Sequence, residues 1–193
     1  AAAERFPKKM QEALQDLSFL HVEFSVSLTR KERCGEDGQD DAVFLISTNP
    51  GEPLKPLASV ASGGELSRIM LALKTITAGQ ESAGTFIFDE IDAGISGKTA
   101  WQVSRKLGIL SETHQIICIT HLPQIAAMAD RHFYIEKSAV GDSTATTIRQ
   151  LQEIDSLHEL ARLSGAPDIT EGALKNAREM KELAEKNRRK GTY

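Results

Sequence analysis

An α/β fold, built on a mainly parallel sheet flanked by helices, follows from three features of the chain. Short apolar runs at 85–88 (TFIF) and 115–120 (QIICIT) flank a helix-period stretch from about 98 to 110, the pattern of a βαβ unit. Alternating apolar and polar residues over 20–28, answered by an apolar run at 41–48, predict an antiparallel hairpin ahead of that unit. Apolar positions at helical spacing both open and close the chain.

Each element follows in order. Residues 4–17 place Met10, Leu14 and Leu17 on one helical stripe with charges between them. From Leu20 to Leu28, Val22, Phe24, Val26 and Leu28 alternate with His21, Glu23, Ser25 and Ser27, the period of a half-buried strand. DAVFLIST at 41–48 is its partner across the polar loop RKERCGEDGQD. The proline-rich NPGEPLKP ends the hairpin and is expected to hold no regular element. After ASGGE comes a helix with Leu66, Ile69, Met70, Leu73 and Ile76 on one face. The βαβ unit follows, then a short helix at 123–129, the strand HFYIEK, a polar GDST turn and the strand TATTIRQL. Two helices, about 156–164 and 170–188, close the chain, with Gly165 and Pro167 between them.

A 193-residue chain that is 40% hydrophobic and 26% charged has the make-up of one globular domain, with or without a small appendage. No stretch approaches the roughly 18 apolar residues of a membrane span, and AAAERFPKKM has no apolar signal core, so a cytoplasmic location and no membrane partner are expected. Cys34 in a polar loop and Cys118 inside IICI lack metal-ligand spacing and read as reduced thiols. A net charge of −4 argues against a broad duplex-DNA platform, and the basic NRRK at 187–190 reads as a solvated helix end.

Four stretches carry polar groups of chemical interest. Gly97, Lys98 and Thr99 fit the end of a P-loop, G-x-x-x-x-G-K-[ST], but its first glycine falls on Asp92. A turn bearing Asp89, Glu90 and Asp92 repels polyphosphate, so GKT is a decoy. The acids themselves suit a metal ion or a water. In FIFDE an apolar strand, expected to be central in the sheet, delivers Asp89 and Glu90 at its C-terminal edge, where open α/β sheets bind ligands. Asp89 is placed to hold magnesium, and Glu90 to orient or deprotonate an attacking water. Ser62-Gly63-Gly64-Glu65 precedes a helix, where glycines admit a ligand and free amides attract an anion. Taken alone, it is more often a plain glycine turn with Ser as N-cap. Ile119-Thr120-His121 ends the second strand; if the two strands are parallel neighbours, His121 emerges near the acids and can donate to a phosphate oxygen.

The order SGGE, hhhDE, hhTH, with 27 residues from Ser62 to Asp89 and 31 from Glu90 to His121, resembles the C-terminal lobe of an ABC-type ATPase head. Within that superfamily, SVASGGELSRIMLALK, FIFDEIDAGISGKTA and ITHLPQIAAMAD resemble the RecN family of SMC-like bacterial DNA-repair ATPases, and the likeness covers most of the chain. The resemblance implies that Ser62, Gly63, Gly64 and Glu65 form the signature motif facing the ATP of a second head. It assigns Asp89 to Mg2+, Glu90 to the hydrolytic water and His121 to the γ-phosphate. It makes Asp92, Ala93, Gly94, Ile95, Ser96 and Gly97 the D-loop. Two positions depart from the commoner ABC pattern: Ser96 stands where an Asp is usual, and Ala61 where a Leu often precedes the signature serine.

The same resemblance makes residues 1–18 the returning end of a coiled-coil arm and 19–193 the lobe proper. It implies ATP and Mg2+ as cofactors and recombinational repair of DNA double-strand breaks as the setting, in a bacterial, nucleoid-associated protein. The P-loop and Q-loop are expected on an N-terminal lobe of the same protein, a second head in an ATP-dependent homodimer, and DNA contact through the full-length chain. On that reading this chain alone is inactive, since phosphate-cradling amides and a lysine are needed. Two rivals stand beside it: a non-catalytic head-docking or protein-interaction module with inherited motifs, and a P-loop kinase using GKT, which Asp92 disfavours.

Overall fold

The chain is described from a computed structural model over residues 2–36, 38–60, 62–80, 83–140 and 143–189. Ala61, the first half of the predicted GDST turn and Lys190 lie outside these residues. The chain divides into two compact units, one formed by Ala1–Ile95 with Leu110–Ile119, the other by Ser96–Ile109 with Thr120–Tyr193.

In the first unit α1 spans Ala2–Asp16. It ends where Ser18 takes a left-handed φ of 66°, with Ser18 N donating to Gln15 O and Phe19 N to Leu14 O, the bond pattern of a Schellman cap. The predicted stripe is its inner face: Met10 and Leu14 are fully buried and Leu17 nearly so. Phe6 joins Phe24 and Phe44 in an aromatic cluster with centroids 5.6 to 5.9 Å apart, which pins α1 to the hairpin.

That hairpin is β1 (Glu23–Gly35) and β2 (Gly38–Ser47), paired antiparallel from Glu23↔Ser47 to Arg30↔Asp40. The polar segment expected as a loop is therefore mostly strand. Cross-strand pairing needs only backbone groups once a turn is set, and Arg30 Nη2 donates to Gln39 Oε1 at 2.9 Å across the ribbon. Charge placed these residues in solvent, not out of the ladder. The proline-rich segment also keeps some order: β3 (Lys55–Pro56) pairs with Ile46 and Leu45 of β2, and a 3-10 turn follows at Leu57–Ser59. Proline is tolerated there because β3 is an edge strand.

Helix α2 (Gly63–Thr77) is capped by Ser62, whose hydroxyl accepts from Glu65 N. Of the face expected to be apolar, Ile69 is buried while Leu66, Met70, Leu73 and Ile76 are half-buried; Gly64, Arg68, Leu71 and Ala72 are buried beside it. β4 (Thr85–Phe88) and β5 (Gln115–Cys118) pair in parallel, Thr85↔Gln115 through Phe88↔Cys118, as the βαβ pattern predicts. Among the described residues β4 has one strand neighbour, and Ile87 is 68% exposed rather than buried in a sheet centre.

The second unit holds α3 (Gly97–Leu110, its last residue counted with the first unit), the four-residue α4 (Pro123–Ala126), the antiparallel hairpin β6 (Phe133–Val140) and β7 (Ser143–Gln150), α5 (Glu153–Leu163) and α6 (Glu171–Arg189). Its core joins Met128, Leu157, Leu160, Ala161, Ala177 and Ala184. Arg188, expected in a solvated tail, instead binds Asp130 Oδ1 at 2.6 Å and the carbonyl of Met128. No described helix is long and apolar enough to cross a membrane.

Candidate functional site

The C-terminal end of β4 meets the start of α2 in the first unit. Asp89 and Glu90 are exposed there, directly after the buried Phe88. Asp89 Oδ1 accepts from Glu90 N at 2.9 Å, and Ser67 Oγ on α2 donates to Asp89 O at 2.7 Å. Glu90 adopts φ 55°, a conformation few non-glycine residues take, and its carbonyl accepts from Ala93 N at 3.0 Å. A tight turn therefore lifts the Glu90 side chain out of the strand direction.

Gly63 and Gly64, predicted as signature glycines, face this turn. A Cβ at Gly63 would lie 2.3 Å from Glu90 Oε2, and one at Gly64 would lie 2.8 Å from Ala93 Cβ and 2.9 Å from Glu90 O. Gly64 thus has a structural reason within this chain, independent of any ligand, whereas Gly63 faces only the tip of a flexible carboxylate. Ser62, Gly63, Asp89 and Glu90 are all exposed, whereas Asp92 is 4% exposed and Ile91 fully buried.

The acids leave a mark on their neighbour. Burial first, then Asp92 and Asp89, pushes the Cys118 thiol up to about 12, so it is a protonated, inert cysteine at the end of β5. Among the described residues no group of three His, Cys, Asp or Glu could hold a metal ion. Nucleotide-borne magnesium requires only one or two carboxylates beside phosphate oxygens and water, and the exposed Asp89 carboxylate fits that lesser demand.

The predicted D-loop divides between the units. Asp92, Ala93, Gly94 and Ile95 close the turn in the first, with Ile95 N donating to Asp92 O at 3.4 Å. Ser96 and Gly97 open α3 in the second, with Thr99 N donating to Ser96 O at 3.2 Å and Lys98 exposed. The amides of Ala93 and Ile95 thus have carbonyl partners, unlike those of a phosphate cradle. His121 is exposed, two residues past Ile119, and belongs to the second unit; Thr120 Oγ1 there accepts from Leu122 N at 3.0 Å.

One residue of this turn escaped the sequence reading. Arg68 of α2 is 8% exposed and its Nη1 donates to Ala93 O at 2.9 Å and Ile91 O at 3.4 Å. The available signal was its position, one turn before Leu71 and Ala72 on a stripe that is otherwise apolar or glycine.

Solved structures of similar fold include SMC head domains. The head with coiled coil and joint from Pyrococcus yayanosii matches with TM-score 0.57 at 21% identity, over 83% of this chain and 29% of that one. The head with extended coiled coil from Pyrococcus furiosus, bound to the C-terminal domain of ScpA, matches with TM-score 0.53 at 21% identity over 83% and 38%. The fold is thus that of part of an SMC-type head domain. No protein-family model matches the chain.

In sequence the chain is RecN-like along most of its length. It is 42% identical over 181 residues to DNA repair protein RecN of Halalkalibacterium halodurans, covering 94% of this chain and 32% of that protein. The figures are 42% over 183 residues for the Haemophilus influenzae RecN, with 94% and 33% covered, and 45% over 150 residues for that of Bacillus subtilis, with 78% and 26%. The chain spans about a third of the length of the curated relatives it matches.

Proposed function

We propose that the chain is the C-terminal half of an ATP-binding and ATP-hydrolysing SMC-like head that dimerises around ATP in recombinational repair of DNA double-strand breaks. The observation that carries this reading is the packing of Gly63 and Gly64, which follow Ser62, against Glu90 and Ala93, which brings the two motifs of the resemblance together. In this reading Asp89 holds Mg2+, Glu90 orients or deprotonates the attacking water, and His121 donates to the γ-phosphate. Ser62, Gly63, Gly64 and Glu65 face the ATP of the second head, and the stretch from Asp92 to Gly97 crosses to it. Bound magnesium neutralises charge on the phosphates; water activation and phosphate contact fall to the chain's own side chains.

Residues 1–18 are the returning end of the arm and 19–193 the lobe. The N-terminal lobe supplies the P-loop and Q-loop, and DNA is engaged through the full-length, nucleoid-associated protein. An apolar face supports the missing lobe: Ile87, Ile117 and Ile119 are 68%, 46% and 48% exposed around a parallel strand pair, and parallel sheets are ordinarily covered on both faces. On its own this chain is inactive.

A second reading, a non-catalytic docking module, draws on Gly64, whose close neighbours explain it without nucleotide. One experiment separates the two. In the full-length protein, Glu90→Gln is expected to keep ATP affinity, lose turnover about a hundredfold or more and accumulate as an ATP-bridged dimer. Asp89→Ala is expected to lose Mg2+-dependent ATP affinity. Absence of turnover in the wild-type protein would favour the docking module, and wild-type turnover retained by Glu90→Gln would remove Glu90 from the water-activating role.

A further inference from the structure

Arg68 is a costly choice for its place. A charge that is 8% exposed is compensated only by good partners, and an apolar side chain of similar volume is often as stabilising there. Its Nε is buried without a hydrogen-bond partner, its burial lowers its proton affinity, and Glu65 opposes that shift. What the guanidinium does hold is backbone. Nη1 reaches the carbonyls of Ala93 and Ile91 at 2.9 and 3.4 Å, while Ser67, its neighbour, holds the carbonyl of Asp89 at 2.7 Å. Three alternate carbonyls of one turn are tied to two successive residues of α2. Between them sits Glu90, at φ 55° with its own carbonyl bonded to Ala93 N.

A residue in the left-handed region persists only where its surroundings over-determine it. The clamp is that surrounding. On its far side the guanidinium lies 5.6 Å from the centre of the Phe19 ring, which is 7% exposed and directly follows the cap of α1. The cation is therefore oriented by the root of the first helix at one end and by the acidic turn at the other.

We infer that Arg68 is the positioning residue for Glu90, acting through the carbonyls of Ile91 and Ala93, with Phe19 orienting its guanidinium. This rests on the proposed ATPase reading. Arg68 touches no substrate; it sets where the water-activating carboxylate stands, so its loss acts on turnover more than on nucleotide binding.

The test uses the full-length protein with Arg68→Ala, Arg68→Lys and Phe19→Leu, and Glu90→Gln as reference. Arg68→Ala is expected to leave ATP affinity within about threefold while kcat falls about tenfold or more. Hydrogen exchange at the Ala93 amide is expected to rise, since its acceptor is on the released turn. Arg68→Lys keeps the charge, but its ammonium is more strongly hydrated and ends one atom short of Nη1, the single nitrogen that meets both carbonyls, so kcat falls to an intermediate value, about threefold down. Phe19→Leu keeps the packing and loses the ring face, with a smaller fall of the same kind. Should Arg68→Ala fail to fold, Arg68→Lys decides alone: wild-type kcat there overturns the assignment. So do a kcat within twofold of wild type in folded Arg68→Ala, unchanged Ala93 exchange, or losses in kcat and ATP affinity that run in parallel. Absence of turnover in wild type refutes the ATPase reading instead, and equal nonzero turnover in wild type and Glu90→Gln removes Glu90 as the water-activating group; in both cases the exchange measurement still reports whether Arg68 holds the turn.

Discussion

Gly63 and Gly64 adjoin in sequence but face different kinds of neighbour. A Cβ at Gly63 would meet the tip of the Glu90 carboxylate, an exposed and flexible group able to swing away; one at Gly64 would meet Ala93 Cβ and the Glu90 carbonyl, which belong to a clamped turn. Gly64→Ala should therefore cost about 1 to 3 kcal/mol of stability and Gly63→Ala less than about 0.5. Urea unfolding of the two variants reads the difference directly. Equal losses would show that the turn yields as easily as a side chain, contrary to the tightness of its hydrogen bonds. The same pair shows what was legible in the site. Ser-Gly-Gly-Glu and Asp-Glu were readable because their residue types are unusual and their order is specific. Arg68 was not, because a charge in a helix reads as a solvated face until its burial is known. Nor did the glycines declare what they pack on, since contact between residues more than 20 positions apart is a property of the fold.

At the scale of elements, the strongest periodic signals survived: the opening helix, the parallel β4–β5 pair and the closing α5 and α6. What went unread shares a cause. The charged arm of the first hairpin and the two-residue β3 are held by backbone bonds that leave little trace in side-chain pattern. The joint between β6 and α5 yields a prediction of its own. His132, just before β6, shares a 2.9 Å hydrogen bond with the buried Ser156 of α5. Burial lowers its pKa from the ordinary value, outweighing Glu159, which raises it, while Lys181 lowers it further. Its folded pKa thus lies below its unfolded one, and below about pH 6.5 the unfolded state binds the extra proton first. The stability this residue contributes is present above that pH and is lost as pH falls through the folded value. Between about pH 7.5 and 5.5 the urea midpoint should drop more for wild type than for His132→Gln, which cannot titrate. Parallel pH profiles for the two proteins would show that the drop comes from other groups.

At the scale of the whole molecule the question is whether one head or two complete the site, and Ser62 decides it. Ser62 is exposed at the mouth of α2, so an added side chain there meets solvent in a single head. If the motif closes on the nucleotide of an opposite head, Ser62→Arg in the full-length protein fills that closing gap. ATP affinity of a single head is then expected to stay near wild type, while ATP-dependent dimerisation and turnover collapse. Complementation sharpens the test. A Ser62→Arg protein is mixed with one lacking the P-loop lysine of its N-terminal lobe, each inactive alone. In a mixed dimer one site joins the mutant signature to the defective P-loop, and the other joins an intact signature to an intact P-loop. Random pairing makes half the encounters mixed, each such dimer has one of its two sites whole, and the homodimers are disfavoured, so at least about a quarter of wild-type turnover should reappear if one site acts alone. Activity regained from two inactive proteins has no explanation in a site contained within one chain. A Ser62→Arg head that binds ATP more weakly as a monomer, in mixed dimers that form but stay inactive, would place the serine beside its own nucleotide.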